Sequence, residues 1–263
     1  MTEKKPAISV RNLVKYFGKH KVLDGVSMDI YPGEIFVIMG GSGCGKSTLL
    51  RHMSGAIRPD NGQVFFGDKD LTTLNEVERE KIKRRFGMCF QSAALIDYMT
   101  VEENVSLPLR EHTHLDPRII SIIVQMKLNL VGLKGFERLM PSMLSGGMKK
   151  RVGLARAIAM DPEVIFYDEP TAGLDPIVCA AVDKLIIDLS KKLLLTSVVV
   201  THDMESVWRI ADRVAMLYNG RVLEIGSPEQ IRNSANLVVQ QFIHGRLDGP
   251  VNFMDRQADA GAI

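Results

Sequence analysis

Residues 34–47 read Glu34-Ile35-Phe36-Val37-Ile38-Met39-Gly40-Gly41-Ser42-Gly43-Cys44-Gly45-Lys46-Ser47. Glu34–Met39 is a near-continuous apolar run, the pattern of a strand buried on both faces. Gly40 to Ser47 then matches GxxxxGKS/T, and an amphipathic helical stretch follows from Lys46 to about Gly55. Strand, glycine loop and helix start in this order give the motif its physical meaning. The glycines let backbone N–H groups turn inward around phosphate oxygens, and the helix N-terminus adds partial positive charge. Lys46 suits the β- and γ-phosphates of a nucleotide, and Ser47 suits Mg²⁺, with the Thr48 hydroxyl close by. Gly40, Gly41, Ser42, Gly43, Cys44, Gly45, Lys46, Ser47 and Thr48 are therefore expected to bind ATP. The plain alternative is a glycine turn that binds nothing, which the full pattern in this context opposes. A dinucleotide loop is opposed by the glycine spacing.

Working outward, Ile8–Val14, Val26–Ile30, Val64–Phe66 and Arg85–Phe90 read as strands. Thr100 to Met140 changes to helical patterns punctuated by Pro108, Asp116-Pro117 and Gly132. A helix follows Gly146 to about Met160. The α/β rhythm returns with strand Val164–Tyr167, helix Pro176–Lys192 and strand Ser197–Thr201. Val214–Leu217 and Arg221–Ile225 read as a hairpin turning at Asn219-Gly220. Helices near Pro228–Ser234 and Asn236–His244 precede a polar tail expected to be loose.

Val164-Ile165-Phe166-Tyr167-Asp168-Glu169 is an apolar strand ending in two acids. Asp168 would hold Mg²⁺, and Glu169 would take a proton from a water attacking the γ-phosphate. Alone, the pair reads as two solvated acids; the upstream phosphate loop turns the reading to the catalytic one. Leu144-Ser145-Gly146-Gly147-Met148 opens a second helix with exposed N–H groups. Ser145 there is either an ordinary N-cap or part of a second phosphate-binding device. One nucleotide does not need two such loops from one chain, so the second would serve a partner subunit.

The order of Walker A loop, LSGG, Asp168-Glu169 and a later histidine, His202, resembles that of ABC ATPase domains from about Ile8 to His244. The resemblance implies an α/β P-loop NTPase with an inserted helical subdomain at about residues 100–148 and an antiparallel β subdomain. It implies an ATPase domain over residues 1–244, a C-terminal tail over 245–263, and a head-to-tail homodimer in which Ser145, Gly146 and Gly147 complete the partner's site. It assigns Gln91 to the Q-loop, contacting Mg²⁺ and water and sensing a membrane subunit. Ala172-Gly173-Leu174-Asp175 matches the D-loop, and His202 the switch histidine that contacts the γ-phosphate. Phe17 matches the aromatic that stacks on adenine, with Tyr16 as the fallback. Each of these single residues also has a bland role, as strand end, helix cap or core.

Two segments narrow the resemblance. Glu103 to Thr113, and the tail from Gln241 to Pro250, resemble the lipid-transport group known as Mla, or Mkl/Mce-associated, and the signature ends in Met148, where glutamine is commoner in ABC domains. That resemblance implies membrane permease subunits and an Mce-domain lipid-binding protein as partners, and a position at the cytoplasmic face of the inner membrane. The alternative is a permease for a polar solute.

Composition sets the outer bounds. A net charge of +2 is too small for nucleic-acid binding by charge alone. No stretch approaches the roughly 18 apolar residues of a membrane span, and Met1–Val10 lacks the apolar run of a signal peptide. Cys44, Cys89 and Cys179, odd in number and far apart, suggest reduced thiols in the cytosol. His112 and His114 read as surface histidines, and Lys81-Ile82-Lys83-Arg84-Arg85 as one solvated helix face. DNA-repair or translation ATPases of the same family would carry a long coiled-coil insert or two domains, and neither is present. A module that held ATP without turnover would not need Glu169 and His202.

Overall fold

The computed structural model describes residues 5–251. The chain runs β1 (Ile8–Phe17), β2 (His20–Ile30), β3 (Ile35–Met39), α1 (Lys46–Met53), β4 (Asn61–Phe66), β5 (Lys69–Asp70), α2 (Glu76–Lys83) and β6 (Phe86–Cys89). It continues α3 (Val101–His112), α4 (Pro117–Leu130), α5 (Gly146–Ala157), β7 (Val164–Asp168), α6 (Pro176–Leu193) and β8 (Thr196–Thr201). It ends with α7 (Met204–Ile210), β9 (Arg213–Tyr218), β10 (Arg221–Gly226), α8 (Pro228–Arg232) and α9 (Leu237–His244).

Two sheets result. The larger has strand order β10-β9-β3-β8-β7-β6. Its β9-β3-β8-β7-β6 portion is parallel, and β10 joins β9 antiparallel across the Asn219-Gly220 turn. The smaller sheet, β2-β1-β4-β5, is antiparallel throughout. All five residues of β3 are buried, as a central parallel strand requires.

Because strand side chains alternate faces, β3 feeds two cores. Phe36 and Ile38 join Leu49, Leu50 and Met53 of α1, Val198 and Val200 of β8, and Val10, Val26 and Val64 of the small sheet. Ile35, Val37 and Met39 face the other way, toward Val152 of α5, Ile186 of α6 and Val207 of α7. That second core extends through Val101, Val105 and Leu109 of α3 to Val124 and Leu128 of α4. The helical segment is therefore bound into the same apolar mass as the sheet.

Three expectations change in detail. Pro108 does not punctuate; it lies inside α3. The helix survives because Thr100 and Glu103 form a capping box at its start. Val101, Val105 and Leu109 also bury one face, enough to offset a proline cost of about 3 kcal/mol. The basic run is no uniform solvated face either. α2 ends at Lys83, and Arg85 pairs with Glu163 at 2.5 and 2.6 Å while lying over the Phe66 ring. The tail is tied down as far as Val251: the Gln241 amide accepts from the Val251 N–H at 2.8 Å and donates to its carbonyl at 3.0 Å. Residues 252–263 of the expected tail lie outside the described residues. Among the described residues no helix is long and apolar enough to cross a membrane, and Cys44, Cys89 and Cys179 are buried and form no disulfide.

Candidate functional site

Two glycines of the loop after β3 sit where no side chain fits. Gly40 has φ +153°, and a Cβ on it would lie 2.2 Å from the Leu217 carbonyl oxygen. Gly45, at φ +104°, caps α1, and a Cβ there would meet the Val22 carbonyl at 2.9 Å. Lys46 opens the helix, 7% exposed. Its Nζ donates to the carbonyls of Gly40 and Gly41 at 2.8 and 3.0 Å. The cation is thus held directly over the loop's own backbone.

The parallel strand order brings the chemistry to this loop. Strands β3, β8, β7 and β6 all end on the same side, the side on which open α/β sheets bind ligands. Asp168 is the last residue of β7, and Ser47 Oγ donates to its Oδ1 at 2.9 Å. Glu169 follows with φ +50°, a left-handed conformation costing a non-glycine residue about 1–2 kcal/mol. Its N–H donates to the Val200 carbonyl at 2.9 Å, and its Oε1 accepts from His202 Nδ1 at 2.9 Å. His202 leaves the end of β8, and Gln91 stands two residues beyond β6.

A cleft of about 660 Å³ collects these groups. Of the expected residues, Gly41, Ser42, Gly43, Gly45, Lys46, Ser47 and Thr48 line it, facing Gln91, Glu169 and His202. Val22, Met204 and Phe242 also line it. Nothing in their local sequence announces that: Val22 is a strand residue, and Phe242 sits in a short amphipathic helix.

Several expected residues stand outside the cleft wall. Gly40 contributes its carbonyl to Lys46. Cys44 is buried beneath the loop, its carbonyl accepting from the Gly220 N–H at 3.2 Å. Asp168 reaches the cleft through Ser47. Phe17 is 53% exposed at the end of β1, with the Lys15 ammonium 5.6 Å from its ring. Tyr16 is also exposed, its N–H bound to Asp60 at 2.6 Å.

The second glycine loop is elsewhere. Ser145 caps α5, its Oγ accepting from the Met148 N–H at 3.3 Å. A Cβ on Gly147 would meet Val178 Cγ1 at 2.8 Å, and one on Gly146 would meet Leu174 Cδ2 at 3.4 Å. The loop therefore packs against Leu174 and the first turn of α6, on either side of Asp175. Asp175 in turn caps α6 by accepting from the Ile177 and Val178 N–H groups, each at 3.0 Å.

The donors beside the phosphate loop suit a hard cation. Ser47 hydroxyl and Asp168 carboxylate are in direct contact, and Gln91 lines the same cleft. Such an all-oxygen set fits Mg²⁺, which takes one or two protein ligands and fills its shell from phosphate and water.

A phosphate loop, a strand-end carboxylate pair and a histidine on one parallel sheet define a P-loop NTPase. The family model described as ABC transporter matches residues 23–172, and the chain belongs to the ABC transporter family, carrying its ATPase cassette. It is 44% identical to the "Intermembrane phospholipid transport system ATP-binding protein MlaF" of Haemophilus influenzae, over 94% of this chain and 93% of that protein. It is 38% identical to the "Probable ribonucleotide transport ATP-binding protein mkl" of Mycobacterium leprae, over 97% of this chain and 73% of that one. Among solved structures, a dimeric ATP-binding cassette in a post-hydrolysis state with ADP and phosphate is 31% identical, with a TM-score of 0.77. That match covers 84% of this chain and 98% of the other. The structure of cbiO1 from Clostridium perfringens, part of the ABC transporter complex cbiONQ, reaches a TM-score of 0.81 at 29% identity, covering 98% of this chain and 100% of the other.

Proposed function

We propose that this chain hydrolyses ATP as a head-to-tail homodimer and so drives a membrane permease that moves phospholipid or a related lipid. The observation that carries it is the cleft itself, where the phosphate loop, Gln91, Glu169 and His202 meet. Residues 1–244 act as one ATPase domain with a helical subdomain at about 100–148, and 245–263 as a tail. The backbone N–H groups from Gly41 to Lys46 cradle the phosphates of ATP, and Lys46 leaves its two carbonyls for the β- and γ-phosphates. Phe17 stacks on adenine. Ser47, Asp168 and Gln91 hold Mg²⁺, which when bound neutralises charge on the phosphate oxygens. Glu169 takes the proton of the attacking water, and His202, through its contact with Glu169, orients that carboxylate and steadies the γ-phosphate. Ser145, Gly146 and Gly147 of the second copy close over the same γ-phosphate from the other side. Closure and reopening move Gln91 and the helical subdomain against the permease at the cytoplasmic face of the inner membrane.

The lipid substrate is supported by the similarity to MlaF proteins, named for intermembrane phospholipid transport, over nearly the whole chain, and the Mce-domain partner by the resemblance of residues 103–113 and 241–250 to the Mla group. The relative named for ribonucleotide transport, matched over 97% of this chain, favours a second reading in which the permease moves a polar solute. Affinity purification of the tagged chain from detergent-solubilised membranes separates the two. Recovery of a permease with an Mce-domain protein and bound phospholipid is the expected result. A permease accompanied by a soluble polar-solute receptor would overturn the lipid assignment and leave the ATPase intact.

A further inference from the structure

Helix α5, which begins at the second glycine loop, also grips the first site from behind. Lys150, 8% exposed, donates from Nζ to the Gln91 carbonyl at 2.5 Å and the Glu169 carbonyl at 3.2 Å. Two turns further along, Arg156 donates to the carbonyls of Ala93 and Ala94, each at 2.7 Å. The gripped segments are not relaxed. Ala93, Ala94 and Glu169 have φ of +61°, +45° and +50°, a region that costs non-glycine residues and persists where surroundings over-determine it. Burying an ammonium is unfavourable unless hydrogen bonds compensate, and burial lowers the Lys150 pKa from the ordinary lysine range. A methionine would fill the same volume without that cost. The cation stands where two carbonyls converge, and both belong to residues that line the cleft.

We propose that Lys150 is a positioning residue: it locks the backbones of Gln91 and Glu169 to α5, so that both are set only while the helix bearing Ser145 is seated. Displacement of α5 then disarms the chain's own carboxylate as well as the loop offered to the partner. This rests on the ATPase assignment above. The full-length chain is compared as wild type, Lys150→Met, Lys150→Gln and Glu169→Gln, measuring ATP turnover, nucleotide affinity and thermal midpoint. Lys150→Met is expected to lower kcat about 10- to 100-fold, the cost of a small misplacement of a catalytic group. KM should stay within about threefold, the signature of a transition-state effect, with the midpoint not lowered. Lys150→Gln keeps an N–H₂ group with two donors and is expected to recover most of the loss. A folded Lys150→Met with wild-type kcat would overturn the proposal. So would losses in Lys150→Met and Lys150→Gln that are equal and track a lowered midpoint, which is plain structural support. If the wild type releases no phosphate from ATP, or Glu169→Gln matches it, the ATPase assignment fails instead.

Discussion

Two glycine loops open helices in this chain, and their surroundings differ. Gly40–Gly45 meets Glu169, His202 and Gln91 in one cleft, with Asp168 held behind Ser47. Ser145–Gly147 meets its own helix cap and the packing of Leu174 and Val178. The local chemistry is similar: small residues, exposed N–H groups and a helix dipole. What separates them is the sheet, which delivers acids and a histidine to one loop and not to the other. A motif supplies donors, and topology decides whether a reaction surrounds them. On the proposed reading, half of an active site is assembled within the chain, and the other half is displayed for a second copy.

Substitutions at the two loops should therefore fail differently. The largest effect is expected at Glu169. Glu169→Gln should cut phosphate release about 100- to 10,000-fold, the range for losing a general base, while equilibrium binding of ATP persists. Ser145→Arg should lower turnover about 100-fold, as removal of preorganised donors does, without weakening ATP binding to the isolated chain. Lys46→Ala should impair binding and turnover together. Equal loss of ATP binding in Ser145→Arg and Lys46→Ala would erase the distinction between the loops.

Stability sharpens the same contrast. In Gly40→Ala the new Cβ collides with backbone, 2.2 Å from the Leu217 carbonyl, and overpacking of that kind costs about 1–3 kcal/mol. That cost corresponds to a fall in Tm of about 2–4 °C per kcal/mol for a chain of this size. Gly147→Ala meets the movable Val178 side chain and should cost less in the same calorimetric scan. Asp175→Ala removes the cap on α6, worth about 1 kcal/mol. It should shift Tm modestly while leaving the phosphate-loop cleft unaltered.

Much of this was legible in the residues themselves. The apolar run through Met39, the strand ending at Asp168-Glu169 and the β-branched stretch before His202 are buried parallel strands whose hydrophobicity and length declare them. The turn at Asn219-Gly220 follows from two residues that tolerate positive φ. Less visible were features that depend on distant packing. Pro108 marks a break on local propensity, yet burial of Val101, Val105 and Leu109 carries the helix through it. Helix α2 shows little apolar periodicity and is held by its Asn75 cap and by Arg79–Glu76 and Lys83–Glu80 pairs. Val22, Met204 and Phe242 enter the cleft from three separate elements, and no local pattern encodes that meeting. Lys150 looks like its neighbour Lys149 in sequence. Only the fold shows that one of them faces two backbone carbonyls.

In the proposed dimer two copies complete each other's sites. The most direct measurement is the mass in solution of the Glu169→Gln chain by light scattering, with and without ATP and Mg²⁺. A monomer is expected without nucleotide and an ATP-bound dimer with it, and a return to ATP-bound monomer when Ser145→Arg is added. A Glu169→Gln chain that binds ATP and stays monomeric, or a dimer indifferent to ATP, would contradict it.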